Sequence, residues 1–165
     1  MRVLGIDPGT LAMGYGLVDE IGDRLCMIDC GVLQVSGHTP IPERLHLLYK
    51  GLMEVLRSSQ PDEMAVEEPF VSRNVRSALA IGRAQAIAML AAASLHIPVY
   101  TYPPARVKHV VANYGGSDKQ QIQHMVSMQL GLASPPPETD AADALAIALC
   151  HLREKHLAKV IATGD

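Results

Sequence analysis

Val3-Leu4-Gly5-Ile6-Asp7-Pro8-Gly9-Thr10 is a short apolar run that ends on a carboxylate and is closed at once by turn residues. A run this short and apolar, stopped by Pro-Gly, predicts a buried strand whose last residue, Asp7, stands at the edge of a sheet. Asp before Pro-Gly is also an ordinary way to begin a turn, and on this stretch alone Asp7 is equally well explained by either role. Other carboxylates, at Glu67-Glu68 and at Asp140 and Asp143, tip the balance. They too fall where apolar periodicity predicts a buried side chain.

Downstream of Asp7, residues 14–19 and 24–35 have strand character, separated by Glu20-Ile21-Gly22-Asp23, a good hairpin connection. Three antiparallel strands are therefore expected to open the chain. Residues 42–58 place Leu45, Leu48, Leu52, Val55 and Leu56 at helical spacing, with Pro42 at the start. This amphipathic helix crosses over to a strand at Met64-Ala65-Val66-Glu67, which again runs from apolar residues into carboxylates. A strand-helix-strand crossover makes the new strand parallel to an earlier one. If that earlier strand is the first, Asp7 ends beside Glu67 or Glu68, beyond the carboxyl ends of parallel strands, where open α/β sheets bind their ligands. Glu67 and Glu68 point to opposite faces of the sheet, and periodicity does not choose between them.

Residues 74–95 predict a long Ala-rich helix, with Asn74 as N-cap and Leu79, Gly82, Ala86, Met89, Leu90 and Ala93 along one face. That face is either the seat of the helix on the sheet or a dimer interface, and the residues alone favour the seat. Val99 to Tyr102 predicts a last strand, and residues 104–112 and 119–130 predict helices around a Gly115-Gly116-Ser117 loop. The fold class is thus α/β, a five-stranded mixed sheet of three antiparallel and then two parallel strands, flanked by helices. A single domain is expected over residues 1–165, with flexibility confined to about the last ten.

The final helix starts near Glu138-Thr139-Asp140 and continues through Ala141 to Leu149. Asp140 and Asp143, three apart, share a face otherwise made of Ala and Leu that must lie on the sheet. Capping explains Asp140 but explains Asp143 poorly, since its neighbours are small and apolar. With no cation in the local pattern, a bound metal ion is expected to neutralise both.

Composition narrows the class further. Of 165 residues, 48% are hydrophobic, yet Trp is absent and Phe70 is the one Phe, so the core must be built from Ala, Val, Ile, Leu and Met. The N-terminus lacks the pattern of a secretory signal, and the apolar stretch from Ala84 to Leu95 is too short to span a bilayer. A soluble, cytoplasmic protein with no membrane association is expected. Cys26, Cys30 and Cys150 are odd in number and form no C-x-x-C pair, which argues against a disulfide framework or a zinc site. Net charge is −3, but Arg73, Arg76, Arg83, Arg106, Lys108 and Lys119 face the single acid Asp118 between Pro69 and Pro137. A basic face beside an acidic centre is what a metal-dependent nuclease needs.

Carboxylates from two strand ends and one helical turn form an oxygen-rich set suited to Mg²⁺ or Mn²⁺ and unsuited to Zn²⁺. In phosphodiester hydrolysis two such ions, about 4 Å apart, activate water and stabilise the leaving 3′ oxygen. Phe70, just past the strand that carries Glu67, is placed to stack on a base or, equally well by position, to fill the core.

The opening G-I-D-P-G-T with the following G-Y-G, the strand A-V-E-E, the segment from Ala112 to Met125 and D-A-A-D-A-L-A-I-A together resemble the bacterial RuvC family of Holliday junction resolvases. The resemblance runs from about residue 2 to 155. It implies a ribonuclease H-like fold, a homodimer, and Mg²⁺-dependent paired nicking of four-way junction DNA that the branch-migration proteins RuvA and RuvB process. Carried over by position, it makes Asp7, Glu67, Asp140 and Asp143 the catalytic and metal-holding acids, choosing Glu67 over Glu68. Some members carry His in place of the acid at Asp140. It makes Phe70 the aromatic that intrudes at the junction and Lys108 and Lys119 the DNA-binding lysines. Arg73 and Asn74 fall on the segment that meets the crossover, and residues 74–95 on the dimer helix. Arg76, in the same basic stretch, is assigned to DNA as well, although it has no clear family counterpart, and Glu68-Pro69 differs from several relatives. Mn²⁺ is expected to substitute for Mg²⁺.

Two other classes share part of this pattern. Actin-like ATPases and sugar kinases also begin with a strand ending in D-x-G-T, but they need a duplicated domain for which 165 residues give no room. A catalytically silent junction-binding module, or a related nuclease-like family acting on RNA, is opposed by the presence of all four acids, Phe70 and both lysines.

Overall fold

The opening apolar run forms the central strand of the sheet. The computed structural model describes residues 1–69, 75–112 and 119–163. Its elements are β1 (Arg2–Asp7), β2 (Ala12–Ile21), β3 (Arg24–Gln34), α1 (Ile41–Ser59), β4 (Glu63–Glu67), α2 (Val75–Ser94), β5 (Val99–Tyr102), α3 (Pro104–Ala112), α4 (Lys119–Gln129) and α5 (Thr139–Thr163). The five strands lie in the order β3-β2-β1-β4-β5. β2 pairs antiparallel with both β1 and β3, whereas β4 joins β1 and β5 joins β4 in parallel. This is the mixed sheet that the chain order predicts, and the crossover through α1 does bring β4 beside β1.

Alternation of side chains along the strands divides the core into two layers. Leu4 and Ile6 of β1, Met13 and Leu17 of β2, and Met64 and Val66 of β4 pack under α1 and α2, against Leu48, Leu52, Leu56 and the alanines of α2. Val3, Val18 and Ala65 point the other way, under α3, α4 and α5, where Val107, Val111, Ile122 and Val126 meet the apolar run from Leu145 to Leu152. α5 is buried almost without interruption from Ala141 to Leu152, and it lies across β1 and β2 at the centre of the sheet.

The face of α2 differs from expectation. Its seat is made by Ala78, Ala84, Ala88, Ala91 and Ala92, while Leu79, Met89 and Leu90 are exposed. The small alanines let α2 pack closely on α1 and β4, and the larger apolar residues lie on its outer face. By length and hydropathy α2 would also cross a membrane, but its buried alanines belong to the same core as α1 and β4.

Candidate active site

Parity along β1 and β4 decides which carboxylates meet. Asp7 ends β1 on the face that carries Val3 and so points toward α5, and Glu67 ends β4 on the face that carries Ala65. Glu68 falls on the opposite face, where its Oε1 accepts a hydrogen bond of 2.7 Å from the Thr101 hydroxyl. Glu67, not Glu68, therefore faces Asp7.

Asp140 and Asp143 lie on the first turns of α5. One carboxylate oxygen from each of Asp7, Asp140 and Asp143 falls within 4.8 Å of the others, and all three residues are half-buried. Glu67 is not in that tight group, but it lines a cavity of about 230 Å³ with Asp7, Asp143, Lys108 and Lys119. The oxygens offer only hard donors, and the group could hold a divalent metal ion.

Burial, reinforced by the charges of Asp143 and Asp140, pushes the Asp7 carboxyl up to about 7. Burial, then the charges of Asp7 and Asp143, does the same to Glu67, also to about 7, with Lys108 and Lys119 working against the rise. Lys119 Nζ lies 3.2 Å from Asp143 Oδ2, and the charge of Asp143 raises the Lys119 ammonium above its ordinary value against the opposing effect of burial. This corrects the expectation that Asp143 lacks a cationic side chain. The partner comes from 24 residues away on α4, so local spacing does not reveal it.

The acids are brought this close by glycines that the motif reading used only as turn or strand residues. A Cβ on Gly5 would stand 2.0 Å from the Ala144 carbonyl oxygen, and one on Gly14 would stand 2.0 Å from that of Asp140. Gly14 is paired with Asp7 across β1 and β2. The helix backbone thus rests directly on the sheet backbone beneath the acids. Two glycines on one face of adjacent strands are the signal, since glycine inside a strand marks a close backbone approach.

Among the remaining expected residues, Lys108 on α3 and Lys119 on α4 stand exposed at the rim of the cavity. Arg76 is exposed on the first turn of α2 and does not line it. Phe70, Arg73 and Asn74, the cap expected at Asn74 and the Gly115-Gly116-Ser117 loop lie outside the described residues.

A ribonuclease H-like sheet with carboxylates gathered at the ends of its central parallel strands, faced by two lysines, defines the class: a nuclease. A family profile described as crossover junction endodeoxyribonuclease RuvC matches residues 3–151. The chain belongs to that family. It is 50% identical over 165 residues to a crossover junction endodeoxyribonuclease RuvC from Dehalococcoides mccartyi, covering 100% of this chain and 99% of that protein. It is 53% identical over 151 residues to the protein of that name from Chloroflexus aggregans, covering 92% of each. Thermus thermophilus RuvC, solved in complex with a Holliday junction substrate, matches with a TM-score of 0.90 at 35% identity, covering 96% of both chains.

Proposed function

We propose that this chain resolves four-way DNA junctions by symmetric nicks in two strands of like polarity, with Asp7, Glu67, Asp140 and Asp143 holding two Mg²⁺ ions. One observation carries this function: acids from β1 and α5 converge within 4.8 Å, with Glu67 on the same cavity. Burial, reinforced by the neighbouring carboxylates, holds Asp7 and Glu67 near 7, and a bound cation would offset the repulsion among these charges. When bound, the ions supply an activated water and offset charge on the leaving 3′ oxygen; Mn²⁺, with the same preference for oxygen, substitutes.

The chain's own groups hold and orient. The carboxylates keep the ions rather than attack phosphorus, and the apolar walls at Val107 and Ile122 limit water at the reacting phosphate. Lys108 and Lys119 contact phosphates beside the scissile bond, and Phe70, Arg73, Asn74 and Arg76 act on DNA at the crossover, where Phe70 unstacks a base. Val75, Leu79 and Leu90, exposed along α2, suit burial against the same helix of a second copy. A homodimer gives two active sites for two nicks. The junction complex of the Thermus thermophilus protein supports DNA as substrate; the activity proposed here is cytoplasmic, with the branch-migration proteins RuvA and RuvB as partners.

Purified protein incubated with a mobile synthetic junction and Mg²⁺ tests this function. Paired nicks at symmetric positions in strands of like polarity are expected. Cleavage of structured RNA in preference to the junction, or no cleavage with either Mg²⁺ or Mn²⁺, overturns it.

A further inference from the structure

β4 carries a second carboxylate on the face that holds Glu67. Glu63, at the other end of the same strand, accepts a 2.6 Å hydrogen bond at Oε2 from His151 Nε2 and one of 2.6 Å at Oε1 from Lys155. His151 is fully buried. Its Nδ1 is 2.7 Å from the Tyr102 hydroxyl, and its ring packs 4.6 Å from that of Tyr100. Burial lowers the basicity of His151 despite the neighbouring carboxylate. The tautomer with the proton on Nε2 donates to Glu63 and accepts from Tyr102 at Nδ1, so both ring nitrogens are engaged and the ring is held from two sides.

The spacing of this contact matches that of the active site. Glu63 and Glu67 are four residues apart on a strand, about 13 Å. Asp143 and His151 are eight apart on a helix, about 12 Å. α5 runs antiparallel to β4, so its two polar residues meet the two ends of the strand as rungs of one ladder.

We propose that Glu63 and His151 are positioning residues, a clamp that fixes the slide and rotation of α5 along β4 and thereby sets the separation of Asp143 from Glu67. The glycine contacts tie α5 to β1 and β2 but leave β4 to be held separately. Without the clamp, the helix keeps its apolar seat and shifts along β4. The clamp rests on the assignment of Asp143 and Glu67 as ion ligands.

The test compares His151→Gln, which can donate to Glu63 and accept from Tyr102, with His151→Asn, one methylene shorter and unable to span both, and with His151→Leu. Mn²⁺ binding to the DNA-free protein is measured by calorimetry well below the melting temperature, alongside junction binding without divalent ions and the Mg²⁺ concentration for half-maximal cleavage. Leu56→Ala, in the opposite core layer, is the control for general destabilisation. Mn²⁺ affinity and Mg²⁺ response are expected to weaken about 10–100-fold in the Asn and Leu variants, with Gln near wild type and junction binding unchanged in all. Equal Mn²⁺ affinity across the His151 series, or the same loss in Leu56→Ala, overturns the clamp. If His151→Leu does not fold, the Gln and Asn pair decides alone. Failure of the wild-type protein itself to bind Mn²⁺ overturns the ligand assignment, and the clamp with it.

Discussion

Gly14 and Asp140 touch through their backbones: a methyl group on Gly14 would stand 2.0 Å from the Asp140 carbonyl oxygen and 3.1 Å from its Cβ. The glycine therefore sets the height of the first turn of α5 above Asp7. Gly14→Ala must lift that turn. Overpacking of this kind costs about 1–3 kcal/mol, so the protein should remain folded with a lowered melting temperature. Cleavage should fall far more than junction binding, and a variant cutting at the wild-type rate would show that the acids tolerate the shift.

Asp143→Asn should abolish cleavage while leaving junction binding and folding intact. The loss should exceed the roughly 10–100-fold typical of removing a group that only supports a metal ligand. Its ion pair with Lys119, which is largely exposed, contributes at most about 1 kcal/mol, and removing one acid relieves repulsion on Asp7 and Glu67. Near wild-type cleavage would take Asp143 out of the metal site.

Asp7 and Glu67 titrate near 7 in the folded protein, against ordinary values of 3.8 and 4.5. Between those values the native state binds more protons than the unfolded chain, so stability present below about pH 4 is lost as pH rises through 7. Metal-free wild type should thus lose stability relative to Asp7→Asn between pH 5 and pH 8, each unit of displacement being worth about 1.4 kcal/mol. Added Mg²⁺ should reverse the loss at pH 8. Parallel melting-temperature profiles for the two proteins would show that Asp7 ionises freely.

Lys108→Ala and Lys119→Ala should each weaken cleavage on all junction sequences alike, because a phosphate contact carries no base information. Binding by the native protein should fall steeply with added salt as counterions are no longer released to advantage, and each substitution should reduce the slope of log affinity against log salt by about 1. Salt-independent binding would make the basic segment a solvated face only.

Phe70→Ala separates a core role from a role at the crossover. A core Phe would cost about 3–5 kcal/mol on truncation; the expected result is instead little change in melting temperature and a fall in cleavage. The fall should be largest on fully paired junctions and smaller where bases near the crossover are already unpaired, since unstacking worth about 1–3 kcal/mol per base no longer has to be driven by the side chain. Equal impairment on both substrates would assign the crossover to other groups.

The sheet was legible because each strand ends on strong punctuation: Pro8-Gly9 after Asp7, Gly22-Asp23 in the hairpin and Pro61-Asp62 before β4. The crossover rule then placed Asp7 beside Glu67-Glu68. What spacing does not carry is which side of the sheet each helix covers, and this decides between Glu67 and Glu68. The same gap misassigned the apolar face of α2, since Leu79 and Leu90 look like core residues until the alanines are seen under them. Contacts between distant segments, Lys119 with Asp143 and His151 with Glu63, leave no periodic trace.

The helix that brings two of the acids is also the one most deeply enclosed by the rest of the chain, buried almost continuously from Ala141 to Leu152. Its amides there should exchange with solvent only when the whole domain opens. Fraying of β3 or of the outer end of α5 leaves the buried run in place, whereas freeing that run dissolves the core layer it forms with Val107, Val111, Ile122 and Val126. A chain whose core has not formed should therefore hold no gathered set of carboxylates to collect metal and nick duplex DNA indiscriminately. For an enzyme whose error is a broken chromosome, completeness of the fold acts as the safety catch.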